Sequence, residues 1–255
     1  MGECSGKQWM TMRRGSRYDA PMAPIPPTTL ITLMRHGPTD WNLEKRIQGQ
    51  TQTDLSDDGR KLCRQWAEKL RNYMEGWAGF GPMNRIVCSD LHRAGQTAEI
   101  LVRHLELPVS SMGGLGEQDW GEWTGRRIRD LRSSCGDEVR RQEARGWDFR
   151  PPGGESRMEV WNRASGALRS LAAFRPGEHI LVVTHKGVLK CLLYRLLGMR
   201  FLPEEGDPLL PDTLHTISVE VMPDADQSAD RKAGSPSDPH GMRIMAMNQQ
   251  FLVEE

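Results

Sequence analysis

Neither sign of charge is in excess: 34 Lys and Arg stand against 34 Asp and Glu in 255 residues. That balance argues against a bulk nucleic-acid or membrane binder, so attraction for a charged ligand must come from local clusters of arginine. Long apolar runs are also lacking, and none approaches the ~20 residues that a membrane helix needs. Arg13, Arg14 and Arg17 are followed by no apolar core, so no secretory leader is expected; their acid-poor surroundings leave a transit peptide as the alternative. Cysteines are few: Cys4, Cys63, Cys88, Cys135 and Cys191, an odd number with no C-x-x-C spacing. A reducing, cytoplasmic setting fits this usage. Cys88 and Cys191 lie in apolar runs and read as buried small hydrophobes. The histidines show no metal-ligand spacing, and neither metal nor cofactor is expected. No internal repeat is present.

What the chain does have is an alternation of strand and helix patterns. Residues 1–28, with the run Pro21-Met-Ala-Pro-Ile-Pro-Pro27, read as a disordered lead. A polar, Pro/Ser/Asp-rich stretch at about 223–241 reads as a flexible surface loop inside a single domain spanning 29–255. Strands are expected at Leu30–Met34, Arg85–Cys88 and His179–Thr184, and again in the tail from Met242. Helices are expected from Ser56 to about Tyr73, from Leu91 to about Leu105, from Ser156, and from Lys186 to Leu197, with Gly198 ending the last. Ser156-Arg-Met-Glu159 has the capping-box pattern, and the helix behind it is expected to bury Val160, Ala164, Ala167, Leu168, Leu171 and Phe174. The alternation predicts an α/β fold with a mostly parallel central sheet and helices on both faces.

Three of these strands run into ionisable residues: Arg35-His36-Gly37 after the first, Ser89-Asp90 with Arg93 after the second, and Thr184-His185 after the third. In open α/β sheets, ligands bind outside the carboxyl ends of the strands. A lone histidine at a strand end is more often a packed or capping residue. Two histidines and two arginines at three strand ends point instead to an anion site, because arginine forks match phosphate oxygens two at a time. Helix N-termini nearby add to the attraction.

The stretch Leu33-Met-Arg-His-Gly-Pro-Thr-Asp-Trp-Asn42 resembles the signature of the histidine phosphatase superfamily, also called phosphoglycerate-mutase-like. Ser89-Asp-Leu-His-Arg-Ala-Gly-Gln-Thr-Ala-Glu99, Leu115-Gly-Glu-Gln-Asp-Trp-Gly-Glu-Trp-Thr-Gly125 and Val183-Thr-His-Lys-Gly187 resemble its later motifs, in the same order. The resemblance implies that His36 is the nucleophile that becomes phosphorylated. It implies that Arg35, Arg93 and His185 hold the phosphate, and that Glu117 is the proton donor and later the base. Thr39, Asn42 and Gln48 would contact substrate, and the reaction would be metal-independent. Departures are Pro38, where an acid is frequent, Gln52 and Asp54, where Asp and Pro are common, and Lys186, where glycine is frequent.

The resemblance implies phosphomonoester hydrolysis as the activity, on a small phosphorylated metabolite, by a monomer or homodimer. A mutase-type transfer, in which the phosphohistidine returns its phosphate to a bound product, is the alternative. Mutases of this family carry a longer segment after the third motif, whereas Gly125 to Pro151 is short here and leads into Pro-Gly-Gly-Glu-Ser. A non-catalytic phosphate-binding module is a further alternative, against which His36 and Glu117 both speak. His92, His104, His179, His215 and His240 have no partner pattern, although His215 heads a strand and could face the cleft. Gly113-Gly-Leu-Gly116 lacks a phosphate-loop lysine and reads as a flexible turn. Asp137 to Arg145 reads as a solvated helix face. Trp147 and Phe149 are read equally as a lid over the site or as core packing.

Overall fold

The computed structural model describes residues 28–76, 80–220 and 241–250. The N-terminal lead and the loop after residue 220 thus fall almost wholly outside the described residues. At the boundaries of these two segments, Thr28 already opens the first strand and Gly241 precedes the last.

Strand β1 (Thr28–Arg35) is followed by a one-turn helix α1 (Asp40–Leu43) and by α2 (Asp57–Gly76). Then come β2 (Arg85–Cys88), α3 (His92–Leu105), β3 (Val109–Ser111) and α4 (Ile128–Glu143). The chain continues through α5 (Arg157–Phe174), β4 (His179–Thr184), α6 (Lys186–Leu196), β5 (Thr213–Glu220) and β6 (Met242–Gln250). All six strands form one sheet in the order β3-β2-β4-β1-β5-β6. The four strands from β3 to β1 are parallel, and β5 and β6 add antiparallel strands at the other side.

The central parallel strands β2, β4 and β1 are buried on both faces, whereas the edge strand β3 is exposed, and β4 accordingly carries the apolar run Ile180–Val183. Alternate residues divide between two cores. Ile180 and Val182 pack with Leu168 of α5 and Leu192 of α6. Leu181 and Val183 pack with Leu70 of α2 and Leu101 of α3. Helices therefore cover both faces, as the strand–helix alternation predicts. The expected capping box is present: Glu159 N–H donates to Ser156 Oγ at 3.2 Å, and Ser156 N–H donates to Glu159 Oε2 at 2.8 Å. One expected core residue is misplaced: Phe174 is 80 % exposed. It is the last residue of α5, beyond the point where the helix still faces the sheet.

The strand order decides where the chemistry can sit. β2, β4 and β1 are neighbours, with Arg35 opposite Thr184 and Cys88 opposite Val183. Pairing runs one residue further at each end: His36 N–H donates to Thr184 O at 2.9 Å, and Ser89 N–H to Val183 O at 3.0 Å. Three consecutive strand ends thus stop at the same level, and the residues just beyond them share one edge of the sheet.

Among the described residues four histidines are buried: His36, His179, His185 and His215. Burial pushes all four below the usual histidine range, His215 to about 4. Such a group takes its proton in the unfolded chain first, so stability is lost as pH falls below about 6.5, towards the folded values. Each group adds up to about 1.4 kcal/mol per pH unit within its own window. The melting temperature should fall by at least several degrees between pH 7 and pH 5. A flat melting curve across that window would show that these imidazoles are not held neutral.

Candidate active site

His36 sits just past the end of β1, buried. Its Nδ1 lies 2.6 Å from Gly37 O. A carbonyl only accepts, so Nδ1 carries the proton and the Nε2 lone pair is left free. That lone pair meets Nε–H of Arg93 at 3.2 Å. Burial first, then the charges of Arg35 and Arg93, hold His36 well below the usual histidine range. The result is a neutral imidazole with a fixed tautomer and its nucleophilic nitrogen turned towards cations.

Arg93 is fully buried in the first turn of α3. Its remaining donors bind the preceding loop: Nη2 to Gly49 O at 2.8 Å, and Nη1 to Thr51 O at 2.9 Å and Thr53 Oγ1 at 3.3 Å. The loop at residues 49–56, where the sequence departs from the usual pattern, therefore fixes the guanidinium. The departing residues have their own partners, since Gln52 Oε1 accepts from His92 N–H at 2.8 Å and Asp54 Oδ1 from Gln96 Nε2 at 2.8 Å. Gly49 has φ +51°, and a Cβ there would press on Thr124 Oγ1, so the turn requires glycine. Thr97 joins α3 to the segment after β1: its Oγ1 donates to Arg93 O at 2.7 Å and accepts from Gly37 N–H at 3.0 Å.

His185 follows β4 and packs its ring 5.1 Å from that of His36. Its Nε2 bonds Ser89 Oγ at 2.8 Å, which orients the ring from the end of β2. Burial first, then the charges of His36, Arg93, Arg35 and Arg163, push its pKa well down. Its Nδ1 is buried without a partner, and so is Arg35 Nε. Such orphaned polar atoms are costly unless a ligand satisfies them. Here they lie beside His36, where an anionic ligand would supply oxygens. Arg93 is held down to about 10, by burial first, and so remains charged at neutral pH; burial lowers Arg35 as well.

Glu117 reaches the same place from the third motif. Its Oε1 accepts from Gln118 N–H at 2.8 Å and its Oε2 from Gly187 N–H at 3.3 Å. Its charge acts on both Arg35 and Arg93. The backbone beneath it is gripped by Arg163 of α5, which donates to Gly114 O at 2.9 Å, Gly116 O at 2.7 Å and Glu117 O at 3.0 Å. Glu155 holds that guanidinium at 2.7 and 2.9 Å. The turn at Gly113–Gly116 is thus a packed element rather than a loose one, and a Cβ on Gly114 would press on Ala167.

Gly187 has no room for a side chain, because a Cβ would collide with Glu117 Oε1. Gly187→Ala should displace the carboxylate while leaving the fold intact, since the obstacle is the end of a flexible side chain. Turnover of an alkyl phosphate should fall by about 10²-fold, with little change in melting temperature. Unchanged turnover would show that the carboxylate position does not matter.

A cavity of about 390 Å³ is lined by Arg35, His36, Arg93 and Glu117 together with Asn42 and Gln48, whereas His185, buried with its ring beside that of His36, is not among the lining residues. Thr39 takes a different place from the one expected. It is buried and caps α1, its Oγ1 3.1 Å from Asn42 Oδ1, and it is not among the lining residues. Its effect on the cavity therefore runs through Asn42. Phe149 lines the cavity, whereas Trp147 packs edge-on to Phe201 and donates Nε1–H to Met199 O at 2.8 Å. Trp147 is therefore packing rather than lid. His215 is buried between Thr213 Oγ1 and Asn248 N–H, and His179 bonds Thr32 Oγ1; neither lines the cavity. Among the described residues no cluster of His, Cys, Asp and Glu could hold a metal ion. No helix among them is long and apolar enough to cross a membrane.

Comparison with known proteins identifies the class that this arrangement defines. The model of the histidine phosphatase superfamily (branch 1) matches residues 31–219, and the chain belongs to that family. It is 30% identical over 185 residues to "Uncharacterized phosphatase PhoE" of Bacillus subtilis, covering 72% of this chain and 82% of that one. It is 36% identical over 170 residues to "Probable phosphoglycerate mutase GpmB" of Cronobacter sakazakii, covering 66% and 75% of the two chains. Among solved structures it resembles a mycobacterial glucosyl-3-phosphoglycerate phosphatase, with TM-score 0.65, 26% identity, and 88% and 100% of the two chains covered.

Proposed function

We propose that the chain hydrolyses phosphomonoesters through a phosphohistidine on His36. The observation that carries this reading is the locked His36 imidazole, with Nδ1–H spent on Gly37 O and Nε2 facing Arg93. In the first step Nε2 attacks phosphorus in line with the ester oxygen, and the P–O bond breaks as Glu117 gives its proton to the leaving alkoxide. Arg35, Arg93 and His185 bind the phosphoryl oxygens and stabilise the charge spread over them. In the second step the Glu117 carboxylate takes a proton from water. The water oxygen attacks phosphorus, and the N–P bond breaks to free inorganic phosphate and restore neutral His36.

A mutase needs the same first step but must retain the product and return the phosphate to it. The short Gly125–Pro151 segment, with α4 in it, favours release, and so do the relatives named as phosphatases. Incubation with 3-phosphoglycerate separates the two outcomes. Free phosphate should accumulate with at most a minor yield of 2-phosphoglycerate. Interconversion of the two isomers that outruns phosphate release would assign the chain to mutase chemistry.

A further inference from the structure

The cavity is much larger than a phosphoryl site needs, and its far wall is unlike its catalytic end. Trp123, Leu131, Val139, Phe149 and Ile47 form a third apolar cluster, apart from the two cores of the sheet, with Trp120 packed against it. The rings meet at 5.6 Å (Trp120–Phe149) and 6.0 Å (Trp123–Phe149), edge to face. All six residues line the cavity that also holds His36 and Glu117. A wall of this kind favours an apolar body, since the indole N–H groups of Trp120 and Trp123 are the polar atoms its side chains offer.

Arg157 lines the same cavity. Its guanidinium is sandwiched between two phenyl rings, 4.2 Å from the centre of Phe149 and 4.0 Å from that of Phe201. Its two hydrogen bonds, to Gly146 O at 3.0 Å and Phe201 O at 2.9 Å, both leave from Nη1. The Nε/Nη2 edge keeps its donors, and that edge is the one that matches a carboxylate fork. No carboxylate of the described residues pairs with Arg157: besides Glu117, Glu143 is the carboxylate lining the cavity, and it pairs with Arg132 at 3.7 Å. Burial lowers the Arg157 pKa to about 10, against the charge of Glu143, which acts on it without forming an ion pair; a partly desolvated cation without a direct ion pair is costly. A ligand that brings its own anion removes that cost.

We propose that the substrate is a phosphomonoester with an apolar body and a second anionic group. The body lies along Trp120, Trp123 and Phe149, and the anion meets the free edge of Arg157. The inference rests on the phosphatase reading and narrows its substrate class.

The test compares esters whose leaving alcohols are alike in basicity: benzyl phosphate, 4-carboxybenzyl phosphate and 3-(4-carboxyphenyl)propyl phosphate with its uncharged 3-phenylpropyl counterpart. Glycerol 3-phosphate serves as the polar reference. The wild-type chain should use the better carboxylated ester at least tenfold more efficiently in kcat/KM than its uncharged counterpart, mainly through KM. Both aryl pairs should exceed glycerol 3-phosphate. In Arg157→Gln the carboxylate ratio should collapse towards one, and because the ratio is taken within one protein, a general loss of activity does not mimic the effect. If that variant fails to fold, Arg157→Lys keeps the charge but loses the fork, and it should lower the ratio severalfold. A wild-type ratio near one, a ratio that survives both substitutions, or a preference for glycerol 3-phosphate would overturn the proposal and leave Arg157 as a staple between residues 146 and 201. Release of phosphate from none of these esters, nor from p-nitrophenyl phosphate, would instead reject the phosphatase reading and the inference with it.

Discussion

His36→Ala should lower turnover of any phosphomonoester by about four orders of magnitude or more, because losing a nucleophile costs nearly all of the covalent pathway. No neighbour is placed to replace it. His185 is the nearest imidazole, but its Nε2 is engaged with Ser89, the residue, with its unpartnered Nδ1, does not line the cavity, and the Arg93 donor is aimed at His36. Binding of inorganic phosphate should survive in the variant, since Arg35, Arg93 and His185 remain. Phosphate-dependent protection of the melting temperature would check this. Activity within about tenfold of wild type would place the nucleophile elsewhere.

Glu117→Gln is expected to separate the acid from the cationic clamp. Glutamine keeps the shape, but its single amide oxygen can accept from only one of Gln118 N–H and Gly187 N–H, which bond separate carboxylate oxygens, a loss that both esters share. It cannot protonate an alkoxide. Phosphorylation of His36 by an alkyl phosphate should slow by ~10²–10⁴-fold, the range of general acid catalysis. With p-nitrophenyl phosphate the leaving group needs little protonation, and the same step should suffer far less. Single-turnover measurements are required, because a slow second step masks the difference at steady state. Equal losses with both esters would remove Glu117 from the acid role. The neighbouring carboxylates are poor substitutes: Glu155 is paired with Arg163, and Glu122 is exposed and outside the cavity lining.

Local signals carried the catalytic end of the site. A buried strand that stops at Arg-His-Gly, and two more that stop at Ser-Asp and Thr-His, reveal through their hydrophobic patterns where their polar ends must emerge. Adjacency of β2, β4 and β1 then brings Ser89, His185 and His36 together. The supports of the site were not legible in the same way. Arg163 grips three carbonyls that lie 46 to 49 residues before it, a pairing that no local pattern encodes. Thr39 and Asn42 have side chains that suit a ligand equally well, and only the short helix between them shows that they bond each other.

The distal wall was harder still. Trp120 and Trp123 belong to a recognisable motif, and Phe149 could be read as lid or core; it is both, buried on one side and facing the cavity on the other. Arg157 looks like any arginine in a first helical turn, and its aromatic sandwich is assembled from residues 8 positions before and 44 after it. The sheet shows the same division. Parallel pairing follows from the strand–helix alternation, while the antiparallel pair β5 and β6 depends on a tail whose pattern gives a strand but not its neighbour.

A covalent phosphohistidine on His36 is the most direct mark of the proposed mechanism. Wild-type chain mixed for milliseconds with ³²P-labelled ester, quenched in alkali and digested, should yield label on the peptide containing His36. That label should be stable to alkali and lost in acid, as expected of a phosphorus–nitrogen bond. Label that resists acid, or that maps to a peptide without His36, would contradict it.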